Sequence, residues 1–92
     1  MDIQLRYFGT VREAVGKSTE RWSIEGETTV HSVLAALENE YSELSGMLLD
    51  GDGISSGVTV LKNGTHVTHF DGIETELSDG DRLSITPPVT GG

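Results

Sequence analysis

The spacing of apolar residues changes period twice along these 92 residues, and nothing else in the chain limits its fold as tightly. In MDIQLRYF, Ile3, Leu5 and Tyr7 alternate with Asp2, Gln4 and Arg6, the period of two of a strand with one buried face. TERWSIE repeats the alternation, with Trp22 and Ile24 on one side. From Thr29 the spacing turns helical. Val30, Val33, Leu34, Leu37 and Tyr41 share a face, His31, Glu38 and Glu40 lie opposite, and Thr29 is suited to cap the N-terminus. Leu44, Met47, Leu48 and Leu49 then predict a short irregular helical turn, and DGDGISSG a loop. Alternation returns in VTVLKNGTHVTHF, a strand, turn and strand, because Asn63-Gly64 supplies two residues that tolerate positive φ. LSDGDRLSI predicts a tight turn at Asp79-Gly80 and a last strand with Leu83 and Ile85 facing one way.

One amphipathic helix between two groups of strands is an α+β, two-layer arrangement. The expected fold is a mixed sheet of four to five strands curled around one main helix. GTVREAVGKS is expected to link the first two strands as a hairpin, with one helical turn around Val11 to Val15. If the first and last strands pair in parallel at the centre, the chain closes into a β-grasp; periodicity alone leaves that pairing open. Residues 1–86 form the domain, and residues 87–92 a flexible, extended C-terminal tail.

The chain has no cysteine, which excludes disulfides, thiolate metal sites and a cysteine nucleophile. Fifteen acids against six bases give a formal charge of −9. Such a surface repels nucleic-acid backbones and acidic membranes and favours basic partners. No apolar run approaches the length of a membrane span and no leader pattern opens the sequence, so a cytoplasmic location is expected. The acidic, lysine-poor composition resembles that of proteins from salt-loving archaea. Asn63-Gly64-Thr65 fits a glycosylation sequon but is expected to be a turn.

Rival motifs are weak. Asp50-Gly51-Asp52-Gly53 begins like a calcium loop, yet Ile54 and Leu61 stand where the fifth and twelfth positions need oxygen ligands. His66 and His69, three apart in a predicted strand, would face opposite ways, so no metal site is expected there. Ser55-Ser56 lacks a base and a nucleophile elbow. No pair of carboxylates stands out for acid–base work, so the chain is not expected to be an enzyme. Trp22 belongs to the core by its alternation with Ile24; exposed, it would instead anchor a partner. If Val58 and Val60 face the helix, Leu61 points to the outer sheet face, where it can join Phe70 or Val89 in an apolar docking patch.

The tail is the most specific feature. Pro87 and Pro88 cannot donate to a sheet ladder, and each holds φ near about −65°. They end the strand at Thr86 and favour a stiff, extended exit. Val89, Thr90, Gly91 and Gly92 follow. Six extended residues reach about 20 Å, and two glycines can enter a channel too narrow for side chains. The group delivered is the α-carboxylate of Gly92, a poor electrophile until it is activated, typically as a mixed anhydride with AMP. The chain has no phosphate-binding glycine loop or basic cluster for ATP, so the activating enzyme would be another protein.

Four stretches carry a family resemblance along nearly the whole chain: LRYFGTVREAVG, TTVHSVLAALENEY, VTVLKNG and, most specifically, LSDGDRLSITPPVTGG. The chain resembles the β-grasp sulfur carriers of the ubiquitin-like class. These include the small subunit of molybdopterin synthase, the thiamine sulfur carrier and the archaeal small modifiers. The resemblance implies that Gly92 is adenylated by an E1-like enzyme, which uses ATP, and is then converted to a thiocarboxylate. Sulfur would pass to molybdopterin precursor, with the molybdopterin synthase large subunit as partner, or to tRNA through a tRNA-thiolation enzyme. In the archaeal modifiers the same terminus joins lysines of target proteins. Chains of the protein on itself would use Lys17, Lys62 or the α-amine. The competing reading is a non-covalent binding module with an incidental Gly-Gly end, to which residues added after Gly92 would do no harm. No bound cofactor is expected in either case.

Overall fold

The computed structural model describes residues 1–51 and 53–87. Its main elements are β1 (Asp2–Tyr7), α1 (Gly9–Val15), β2 (Thr19–Ser23), β3 (Thr28–Thr29) and α2 (Val30–Glu40). They continue as β4 (Leu49–Asp50), β5 (Gly53–Ile54), β6 (Thr59–Lys62), β7 (Thr65–His66), β8 (Glu76–Leu77) and β9 (Arg82–Thr86). Five strands form one mixed sheet in the order β2-β1-β9-β6-β7. At its centre β1 and β9 run parallel, with Gln4 beside Arg82 and Tyr7 beside Ile85. That pairing closes the β-grasp.

Period two puts Ile3, Leu5, Tyr7, Val60, Leu83 and Ile85 on the inner face, all buried. They pack against Val30, Val33, Leu34 and Leu37 of α2. Removing each such side chain from water contributes about 1.5–3 kcal/mol. The helix starts where its cap chemistry requires: Thr29 Oγ1 accepts the Ser32 N–H at 3.2 Å. It stops at Tyr41, whose backbone is already extended. Trp22 and Ile24 are half-buried against the core, as their alternation implies.

Several local expectations are corrected. The link between β1 and β2 is not a hairpin with one helical turn but the seven-residue helix α1. Val11 and Val15, four apart, bury one side of it, and Gly16 ends it in the left-handed region, its N–H donating to the Arg12 carbonyl. DGDGISSG is not wholly loop, since Leu49 and Asp50 pair with Ile54 and Gly53. Asp52 lies outside the described residues. The strand after Asn63-Gly64 is only two residues long. Burial of Val67 draws the chain into a 3₁₀ turn over Val67–His69, so His69 is not in a strand. The turn itself is as expected, with φ of 51° at Asn63 and 86° at Gly64. Glu38 is not simply solvated: its Oε2 accepts the Leu48 and Leu49 N–H groups at 2.8 and 2.9 Å. Its carboxylate thereby holds the chain after α2.

No helix among the described residues is long and apolar enough to cross a membrane.

Candidate functional site

The last described residues show how the sheet launches the tail. β9 is a central strand, held by β1 on one side and β6 on the other. The parallel ladder continues one step past Tyr7, where the Phe8 N–H donates to the Ile85 carbonyl at 3.1 Å. Thr86 stands beside Thr59 of β6, and its Oγ1 donates to the Pro87 carbonyl at 2.6 Å. Pro87 is half-buried against Gly9 at the start of α1. Pro88, Val89, Thr90, Gly91 and Gly92, the core of the expected site, lie outside the described residues.

The outer face of the sheet has a charge pattern unlike the chain as a whole. The register places Arg21, Gln4 and Arg82 in one cross-strand row. The next row is Thr19, Arg6, Ser84, Leu61 and His66. Three of the four arginines thus share a face whose only carboxylate in the three paired central strands is Asp2. Among the described residues the ion pairs within 4 Å are Lys17–Glu20 and Lys62–Asp81, so Arg6, Arg21 and Arg82 are unpaired. Arg6 lies 5.7 Å from the ring centroid of Phe8, itself exposed at the edge of the same face.

Leu61 is half-buried in its row, between Ser84 and His66. Phe70 is exposed, but its ring contacts Lys62, whose side chain alternates with Leu61 to the other side of β6; Lys62 Nζ stands 5.0 Å from the ring centroid. Leu61 and Phe70, expected to form one patch, are therefore separated: Leu61 points to the outer face, and Phe70 meets Lys62, which points to the other. Lys62 also donates to the Glu76 carbonyl at 3.2 Å and lies 3.7 Å from Asp81. Its side chain is 20% exposed, against 49% for Lys17, which meets Glu20 at 3.6 Å. Lys17 is the more accessible amine, though Glu20 holds its proton on more firmly than usual.

Glu20 was missed in the sequence. Its Oε1 accepts hydrogen bonds from the hydroxyls of Tyr7 at 2.8 Å and Tyr41 at 2.9 Å. It joins β1, β2 and the end of α2. The available signal was its phase, since Glu20 alternates onto the same face as Trp22. Burial alone would raise its pKa, but the two tyrosine hydroxyls and Lys17 together hold it below the ordinary carboxylate value. Burial and the bond to Glu20 push the Tyr7 hydroxyl well above its ordinary value. A depressed acid contributes stability above its unfolded pKa and loses it as pH falls; the raised tyrosine contributes below about pH 10 and loses it in alkali. Glu20→Ala should therefore destabilise the protein by about 2–3 kcal/mol at pH 7. Urea melts at pH 7 and pH 3 check this, with the gap from wild type narrowing at pH 3.

A concavity of about 610 Å³ is an open groove lined by Thr29, His31, Asp71, Ile73, Glu74 and Glu76. Among the described residues no three histidines or acids converge as a metal site.

Residues 5–92 match the ThiS family. Across 92 residues the chain is 46% identical to small archaeal modifier protein 3 of Haloferax volcanii, with the whole of both chains covered. It is 35% identical over 65 residues to a proposed sulfur carrier of Archaeoglobus fulgidus, covering 70% of this chain and 74% of that one. The crystal structure of SAMP1 from Haloferax volcanii superposes with a TM-score of 0.81 at 27% identity, covering both chains completely. A match running from β1 to residue 92, on a sheet whose first and last strands pair in parallel, makes this chain a member of the ThiS family, of the ubiquitin-like carrier and modifier kind.

Proposed function

We propose that the protein works through the α-carboxylate of Gly92, activated by a partner enzyme at the expense of ATP. A carboxylate oxygen attacks the α-phosphorus, pyrophosphate leaves, and an acyl adenylate forms. A partner's persulfide then displaces AMP to give an acyl disulfide. A second partner thiol cleaves the sulfur–sulfur bond, releasing the thiocarboxylate and leaving a disulfide on the partner. The observation that carries this reading is the end-to-end match to a small archaeal modifier, on a domain whose final strand is central to the sheet. The same identity favours a second outcome, in which a target lysine amine displaces AMP and an isopeptide bond forms. Molybdopterin precursor, a tRNA and target lysines are the candidate acceptors.

The globular domain is the handle in this scheme. Its outer face, where Arg6, Arg21 and Arg82 are unpaired among the described residues and share the sheet surface with Leu61, suits an acidic surface on the activating enzyme. Guanidinium groups pair carboxylates bidentately, and such a contact weakens as salt rises. Phe70 belongs to a separate contact.

Intact mass after incubation with ATP, a sulfur donor and the activating enzyme of the same cell tests the reading. The expected gain is the difference between one sulfur and one oxygen. An unchanged mass together with no Gly-Gly remnant on any cellular lysine would overturn both outcomes.

A further inference from the structure

We infer that Gly9 is a positioning residue for the tail: the side chain it lacks leaves a notch that seats the Pro87 ring and sets where the chain departs from the sheet. This rests on the activation of Gly92 proposed above.

The glycines themselves single out this one. The seven other glycines with positive φ have nothing within 4 Å of the place a Cβ would occupy. Their backbone conformation is sufficient reason for glycine. Gly9 has φ of 56°, but a Cβ there would also stand 2.5 Å from Pro87 Cγ and 2.9 Å from Pro87 Cδ. Carbon atoms in contact lie about 3.5–4.0 Å apart, so any other residue at this position must push Pro87 outward by about 1 Å. The neighbouring constraints leave little slack to absorb that. Phe8 is tied to Ile85 immediately before the notch, and the Thr86 hydroxyl holds the Pro87 carbonyl immediately after it. The proline ring fixes its own φ. Pro87 is therefore located by the ladder, the notch and the hydroxyl together.

Position matters here because the reacting group is five residues further on. Five residues span at most about 18 Å, so the point and direction of departure at Pro87 bound where the carboxylate of residue 92 can reach. Misplacing a reacting group by about 1 Å costs about 100-fold in rate. Gly9 touches neither the nucleotide nor the reacting carboxylate; it acts through Pro87.

Gly9→Asn is the sharpest variant, because asparagine accepts a left-handed backbone yet carries the Cβ. With the purified activating enzyme and ATP, Gly9→Asn should lower kcat/KM for adenylation by about 10-fold or more. Pro87→Ala removes the ring that the Cβ would strike. Adding Gly9→Asn to Pro87→Ala should then cost less than about threefold, relative to Pro87→Ala alone, by the same steric reasoning. A general weakening of the fold would not be relieved by Pro87→Ala, so this rescue separates positioning from stability. Adenylation of Gly9→Asn at the wild-type rate, or an equal loss with and without the ring, overturns the inference. If the wild-type protein is not adenylated at all, the proposed function falls instead. The notch is then judged by nuclear Overhauser contacts between the Gly9 α-protons and the Pro87 ring: their presence supports the seating, and their lack overturns it.

Discussion

Removing Gly92 alone should abolish nucleotide-dependent activation while leaving the fold intact. The shortened chain still ends in a carboxylate, but about 3.3–3.6 Å short of where the partner's chemistry takes place. A misplacement of about 1 Å costs about 100-fold, so a shortfall of a full residue should leave adenylation below detection by ATP–pyrophosphate exchange. Stability should not follow. All the buried apolar side chains among the described residues lie between Ile3 and Ile85. The melting profile should match that of the full chain within about 0.5 kcal/mol, as for changes outside any packed feature. If the truncated protein were still adenylated at the full rate, the carboxylate of Gly92 would not be the working group. The reading of a binding module with an incidental terminus would take its place, and residues appended after Gly92 would then be harmless.

The largest effect on stability should come from Leu34→Ala. Leu34 is completely buried within the core shared by α2 and the sheet. Large-to-small changes at such sites cost about 2–5 kcal/mol, the lost transfer energy plus the cavity left behind. Domains of this size are stable by about 5–14 kcal/mol, so a large share would go. At about 4–8 °C per kcal/mol the melting temperature should fall by about 8–40 °C, measured by calorimetry. Arg82→Ala is the matching control. Arg82 is exposed on the outer face and unpaired among the described residues, so its loss should shift stability by no more than about 0.5 kcal/mol. A large destabilisation by Arg82→Ala would mean that the outer face contributes to the core and is not a free docking surface.

Elements with strong local chemistry were legible before the structure. The cap at Thr29, the buried stripe of α2, the inner faces of β1 and β9 and the turn at Asn63-Gly64 all stand where the residues placed them. Those that were missed depend on distant partners. Val67 turns into a 3₁₀ helix, although its own stretch alternates well enough for a strand. The two-residue pairing of Thr28 and Thr29 with Leu77 and Glu76 braces the start of α2 and is too short to leave a periodic signal. Glu20 and Glu38 looked like ordinary surface acids. One accepts from two tyrosines brought by β1 and the end of α2, and the other accepts from backbone ten residues later. The arginine face was hidden for the same reason, because Arg6, Arg21 and Arg82 become neighbours only across paired strands.

Side-chain pattern specified which segments coil, which extend and which face of each is buried, since period and capping act within a few residues of one another. It did not specify that Gln4 lies beside Arg82, nor that Gly9 receives Pro87. Backbone hydrogen-bonding groups are the same at every residue, so no strand names its neighbour by its own composition. That choice falls to the assembled core, where placing β1 and β9 side by side buries Ile3, Leu5, Tyr7, Leu83 and Ile85 beneath one helix and joins the first and last strands of the chain in one ladder.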